Sequence, residues 1–194
     1  MEKTIQKTSS NSTVSLVLCG LFAALTAVCA AISIPLPFTP IPVSLTTLSV
    51  LLAGGLLGTK YGALSQVVYL LLGAIGVPVF ANFTGGLGIV VGPTGGYIVG
   101  YILTAAIFGK LCNIIHNKGI SKRFKGYFLV FLSALLGTVF CYALGTLWYM
   151  HVTNVSLGAA FGMCILPFIP GDLLKCIAAT FLISATYSKT RMYI

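Results

Sequence analysis

Residues 124–149 read FKGYFLVFLSALLGTVFCYALGTLWY, a run of 26 residues whose sole charge is Lys125 near its start. A helix crossing about 30 Å of hydrocarbon needs roughly 20 predominantly apolar residues, with about 17 to 25 tolerated. This stretch therefore reads as a membrane span, and working outward from it the same reading recurs. Val14–Ile34, Val43–Gly58, Tyr61–Gly76, Thr94–Cys112 and Asp172–Tyr187 bring the expected number of crossings to six. The second and third are short and meet at a tight turn, Gly58-Thr59-Lys60. No run alternates polar and apolar residues as a barrel strand would. Backbone polar groups in lipid must be satisfied internally, so helices are expected in these runs and strands are not.

The whole chain agrees with that reading. Of its 194 residues 58% are hydrophobic and only 7% charged, with a mean hydropathy of +1.05. Soluble domains carry about 25% charged residues, so a soluble enzyme, a disordered tail and a nucleic-acid-binding domain are excluded. The expected fold class is an all-α integral membrane protein with a single membrane domain over 1–194. Its parts are an N-terminal tail over 1–13, a bundle over about 14–188 and a C-terminal tail over 189–194.

Eleven Lys and Arg against two Asp and Glu leave a net charge of +9, and the placement of those cations gives the orientation. Lys3 and Lys7 precede the first run, Lys60 separates the second and third, and Lys189 and Arg191 follow the last. Lys110, Lys118, Lys122, Arg123 and Lys125 surround the connection between the fourth and fifth. Connections 35–42, 77–93 and 150–171 contain no Lys or Arg. Because cytoplasmic loops carry the excess of Lys and Arg, both termini are expected in the cytoplasm. Residues 1–31 also loosely fit a cleaved leader, although the apolar run is longer than a usual signal core.

Charges within the apolar runs stand out, because ionisable groups in spans are functional candidates by default. Apart from Glu2, Asp172 is the only acid, and Lys175 is the only base in the outer half. Their i, i+3 spacing in Pro170-Gly-Asp-Leu-Leu-Lys175 places them on one helical face. An Asp after Pro-Gly also suits a helix N-cap, whereas a cation in the first turn opposes the helix dipole. A ligand offering a carboxylate and N–H groups would suit the pair.

A second candidate region is 76–96, with seven glycines and no charge. Asn82 is its only side-chain amide, between Phe80 and Phe83. Such a segment reads equally as a ligand lid or as a re-entrant plug over the outer face. The connection 35–42, Pro-Leu-Pro-Phe-Thr-Pro-Ile-Pro, is stiffened by four prolines. Ala23, Ala27 and Ala31 form a small-residue face on the first helix, suited to close helix packing with a partner or within the bundle.

Other chemistry is not written in the chain. Six cysteines lie singly in or beside apolar runs, without a CxxC pair, and read as reduced apolar side chains. No phosphate-binding GxxxxGK[ST] loop, carboxylate pair or metal-ligand cluster is present in the sequence. The chain is therefore expected to be non-catalytic, without cofactor or metal.

Four ordered stretches carry a resemblance: Pro35-Leu-Pro-Phe-Thr-Pro-Ile-Pro42, Gly76-Val-Pro-Val-Phe-Ala-Asn-Phe83, Gly92-Pro-Thr-Gly-Gly-Tyr97 and Pro167-Phe-Ile-Pro-Gly-Asp-Leu-Leu-Lys175. Through them the chain resembles the BioY family, the biotin-specific S components of energy-coupling factor (ECF) vitamin transporters. The resemblance implies a six-helix S component of the bacterial plasma membrane that captures extracellular biotin. It implies, as partners, a transmembrane coupling subunit and two cytoplasmic ATPases. It places ligand recognition at Asn82, Asp172 and Lys175, and the coupling subunit against Ala23, Ala27 and Ala31. Phe80, Phe83 and Tyr97 are expected as apolar walls, with Gly86 in the ligand loop. Competing readings are an S component for another small vitamin and a structural or assembly membrane protein. Competition between vitamins separates the first, and tolerance of loss of both Asp172 and Lys175 the second.

Overall fold

The computed structural model describes residues 2–118 and 124–190. Helix α1 (Glu2–Ala31) leads into a hairpin of β1 (Ser33–Leu36) and β2 (Thr39–Ser44), followed by α2 (Thr46–Ala74). A 3₁₀ turn (Ala81–Phe83) and the short α3 (Leu87–Val91) fill the next connection. Then come α4 (Gly95–Asn117), α5 (Phe124–Thr153), α6 (Leu157–Cys164) and α7 (Ile169–Thr190). Lys122, Arg123 and Arg191, which entered the charge argument, lie outside the described residues.

Five of the seven helices are long and apolar enough to cross a membrane: 13–31 of α1, then α2, α4, α5 and 169–187 of α7. The expected second and third helices fall within one element, α2, and the reason is at Gly58. That residue has φ 80° and ψ −173°, a left-handed conformation that glycine alone adopts freely. A Cβ placed on Gly62 would lie 2.8 Å from both the Ala53 carbonyl oxygen and the Gly54 Cα. In a straight helix residues 53 and 62 would be about 13 Å apart along the axis. The chain therefore folds back on itself at Gly58, and α2 is a helical hairpin with arms over 46–57 and 59–74. The second arm rises beside α1, where the Cys19 thiol donates to the Tyr61 carbonyl at 3.3 Å and Gln66 Nε2 donates to Thr26 Oγ1 at 3.3 Å.

The first connection departs from the expected proline-stiffened loop. It is a two-stranded antiparallel ribbon pairing Ser33 with Ser44, Ile34 with Val43 and Leu36 with Thr39. It truncates the expected neighbours, so that α1 ends at Ala31 and α2 starts at Thr46. Each strand of a two-stranded ribbon has a free edge, so Pro35, Pro40 and Pro42 cost few ladder bonds. Ile41 turns inward and packs with Tyr97, Cys141, Tyr149 and Cys164.

Helix α4 occupies the centre, packed between α2 and α5, with α7 closing the far side. One half of the bundle is a dense core of Leu51, Phe108, Cys112, Val130, Ala134 and Ile183. The six cysteines are free thiols, five of them buried.

Candidate ligand-binding site

The other half of the bundle is not filled. Two adjoining cavities, of about 180 Å³ and about 50 Å³, share Ile41, Pro42 and Ser44 of the ribbon and Tyr97 and Tyr101 of α4 as a common wall. The larger is completed by Tyr69, Phe80, Asn82 and Thr94. The smaller is completed by Tyr142, Cys164, Phe168, Asp172 and Lys175 among others.

Asp172 and Lys175 reach the smaller cavity from the first turns of α7. Pro170 is the second residue of that helix, where its missing N–H would be an orphan in any case. The Asp172 amide already donates to the Phe168 carbonyl at 2.9 Å. Asp172 thus stands inside the helix and not at its N-cap, which frees its side chain from capping. Lys175 Nζ donates to Asp172 Oδ1 at 2.7 Å, with the two side chains only 9% and 10% exposed. Tyr142 of α5 donates its hydroxyl to Asp172 Oδ2. A buried ion pair persists when its remaining lone pairs and protons are satisfied, and this one still has two ammonium protons to offer a ligand. Burial pushes the nearby Cys164 thiol above its ordinary value, so it contributes a neutral wall.

On the larger cavity, Phe80 is 2% exposed and meets Tyr69 edge to face, with ring centroids 5.5 Å apart. Its ring sits against Gly73, where a Cβ would come within 2.0 Å of it. Asn82 adopts φ 57°; its amide N–H donates to Ser33 Oγ at 3.2 Å, and its Oδ1 lies 3.0 Å from the same hydroxyl. That contact ties the 3₁₀ turn to the ribbon. Gly86, at φ 102°, donates its N–H to the Gly73 carbonyl at 2.6 Å, and Trp148 Nε1 donates to the Gly92 carbonyl at 2.9 Å. The 77–93 connection is thus pinned to the bundle at several points.

The structure brings together Asp172, Lys175, Asn82, Phe80 and Tyr97, whose hydroxyl is 3.0 Å from Thr146 Oγ1. Phe83 and Gly86 line neither cavity, and Phe83 is 70% exposed. Sequence reading missed Tyr69, Tyr101 and Tyr142. Their available signal was position, since each lies well inside an apolar run, away from the interfacial belts where tyrosine is common.

The alanine face of α1 lies partly within the bundle. Ala23 is 2% exposed and clusters with Ala30, Tyr69, Phe80 and Ile98, while Ala27 packs partly buried on the same group. Small residues there let the second arm of α2 approach closely, while Ala27 and Ala31 stay only partly buried. The side of α1 left open carries Val17, Leu21 and Val28 with Gly20 and Ala24 between them.

Comparison with known proteins places this arrangement among transporters. The sequence model of the BioY family matches residues 2–191. A biotin transporter BioY of Thermotoga maritima is 40% identical over 167 residues, 84% of this chain and 90% of that protein. One of Rhizobium etli is 36% identical over 172 residues, 88% and 91% of the two chains. A crystal structure at 2.1 Å of the S-component for biotin from an ECF-type ABC transporter superposes with a TM-score of 0.80 at 29% identity, covering 90% of each chain.

Proposed function

The chain belongs to the BioY family, and from that membership we propose that its paired cavities are the site at which it captures biotin. It is a biotin transporter subunit of the S-component type, a substrate-binding protein and not an enzyme. The observation that carries the site is the buried Asp172–Lys175 pair on a cavity wall. Among the described residues no other charged side chain lines either cavity.

Biotin offers a neutral cyclic urea with two N–H donors and one oxygen, an apolar thioether ring and a carboxylate tail. Asp172 takes the ureido N–H groups, and Lys175 takes a ligand oxygen. Asn82 adds a hydrogen bond, and Phe80 and Tyr97 supply apolar walls. A buried polar group of the ligand left unpaired costs about 1 to 3 kcal/mol. Asp172→Asn should therefore weaken binding about tenfold or more, and wild-type affinity in that variant would remove Asp172 from the site.

The fold-back at Gly58 supports counting α2 as two crossings, which makes six and puts both termini on one face of the membrane. Lys60, Lys110, Lys118 and Lys125 are all exposed and cluster by sequence around the turns of that face, which the positive-inside rule assigns to the cytoplasm. Energy for uptake comes from a transmembrane coupling subunit and two ATPases, since the chain has no nucleotide-binding loop. The partly exposed Ala27 and Ala31, with the adjoining open side of α1 at Gly20 and Ala24, offer the small-residue surface for such a partner.

Equilibrium binding of biotin to the purified chain, from cells treated with avidin so that the site starts empty, tests the reading. Stoichiometric binding supports it. Absence of binding in folded protein overturns it, and competition with other vitamins then identifies the ligand.

A further inference from the structure

A third cavity lies away from the paired ones, on the outer surface of the bundle. It is a groove of about 170 Å³ where Phe124, Tyr127, Phe128 and Phe131 of α5 meet Thr180 and Phe181 of α7. The four α5 residues recur at the three- and four-residue spacing of one helical face. Tyr127 closes the groove floor against Phe181, with ring centroids 5.8 Å apart. Its rims are open, with Phe124 89% and Phe181 62% exposed. Thr180 turns its hydroxyl back to the Cys176 carbonyl of its own helix at 2.7 Å, so it offers no donor across the groove.

The walls select the occupant. Helices that meet in lipid do so through small residues that let backbones approach. This groove has no glycine, alanine or serine on its walls, and its rings keep a second helix at a distance. A flexible hydrocarbon chain fits between rings where a helix does not. The groove begins at the first residue of α5 and follows that helix for about 10 Å to Phe131, from one end of the bundle toward its middle. Lys125 stands exposed at that end, three residues before Phe128 and so beside it on the helix surface. A lysine there lays its stem along apolar surface and carries its ammonium to the headgroup layer. Among the described residues Lys125 forms no ion pair, because Asp172 is engaged with Lys175. Its charge is therefore left for an anion from outside the chain.

We propose that this groove is a binding site for an anionic phospholipid. One acyl chain lies among the rings of α5 and α7, and the phosphate sits at Lys125. The lipid comes from the leaflet at the Lys125 end of the bundle. The site is separate from the paired cavities and stands independently of the ligand that fills them.

The test places the full chain in nanodiscs holding equal amounts of phosphatidylglycerol and phosphatidylcholine with matched acyl chains. After release into detergent, the lipid retained on the protein is counted by native mass spectrometry. One lipid per chain should be retained, with phosphatidylglycerol favoured about fivefold, the effect of one lysine near an anionic headgroup. Lys125→Gln should bring the two lipids close to parity. Phe124→Ala combined with Phe128→Ala should lower retention of both lipids about twofold or more. Both rings point outward, so the double variant should keep its melting temperature. Lys60→Gln removes an exposed cation outside the groove and should leave the preference intact.

A preference that survives Lys125→Gln overturns the proposal, and so does one that falls equally in Lys60→Gln, which would show diffuse attraction. Retention unaffected by the double alanine variant, or no lipid retained by folded protein, overturns it as well. A dimer of the chain that the double variant dissociates would make the groove a contact between copies, and the lipid site would fall.

Discussion

Two halves of one bundle solve opposite packing problems. Around the fold-back of α2, Gly54, Gly62 and Gly109 bring backbones together: a Cβ on Gly54 would lie 2.5 Å from the Ala105 carbonyl oxygen, and one on Gly109 would lie 2.6 Å from that of Gly54. Toward the ribbon and the 3₁₀ turn, Tyr69, Tyr97, Tyr101 and Tyr142 stand where the glycines would be, and cavities open between them. Small residues let helices meet in lipid; large rings hold them apart. The same helices therefore form a solid base and a hollow top, and the residue type at each turn decides which.

The sharpest way to break that contrast is to put a side chain into the base. Gly62→Val should destabilise the fold by about 3 kcal/mol or more, since the 2.8 Å approach to the Ala53 and Gly54 backbone cannot relax by moving a flexible side chain. A lowered melting temperature in detergent, with normal biotin stoichiometry in whatever folded fraction survives, is the expected result. Unchanged thermal stability would mean that the arms of α2 do not pack as closely as the geometry shows.

A smaller effect is expected from the top. Tyr142→Phe removes a hydroxyl donated to Asp172 and should weaken biotin by about 10- to 100-fold, the range for losing a hydrogen bond to a charged group. Melting of the unliganded protein should shift less than in Gly62→Val. Smallest of all is Phe83→Ala. At 70% exposed and outside both cavities, Phe83 should change affinity by less than about twofold, as surface substitutions do. A large loss there would put Phe83 over the ligand and reinstate the 77–93 segment as a moving cover.

These cases show what could be read without the fold. Asp172 and Lys175 were legible because they are the acid and the base of the outer half and stand three apart, and the helical geometry that pairs them is local. Asn82 and Phe80 were legible through their glycine-rich setting. Tyr142 was not, because its importance comes from meeting Asp172 across 30 positions of sequence. The alanine face of α1 was legible as a packing surface for a partner or for the bundle; small residues at four-residue spacing pack against any close neighbour, and the tertiary arrangement shows that Ala23 meets the second arm of α2.

The 33–44 segment makes the same point about the fold. The prolines of 35–42 marked a stiffened connection and the spans were expected to run to Ile34 and from Val43, yet a stiff loop and a paired ribbon satisfy the same local rule, and pairing depends on Ser33 meeting Ser44.

By itself, then, the sequence determined that the chain is a membrane protein, where its long apolar runs lie, and where its few charges fall. Hydrophobic length and charge are properties of each segment alone, and lipid penalises error in them heavily. The sequence also placed the tight turn at Gly58-Thr59-Lys60; only the tertiary structure decided which neighbours Ala23 meets and which tyrosines surround the cavity. Each of those is a contact between distant residues, set by whether glycine or a ring occupies the point where two helices meet.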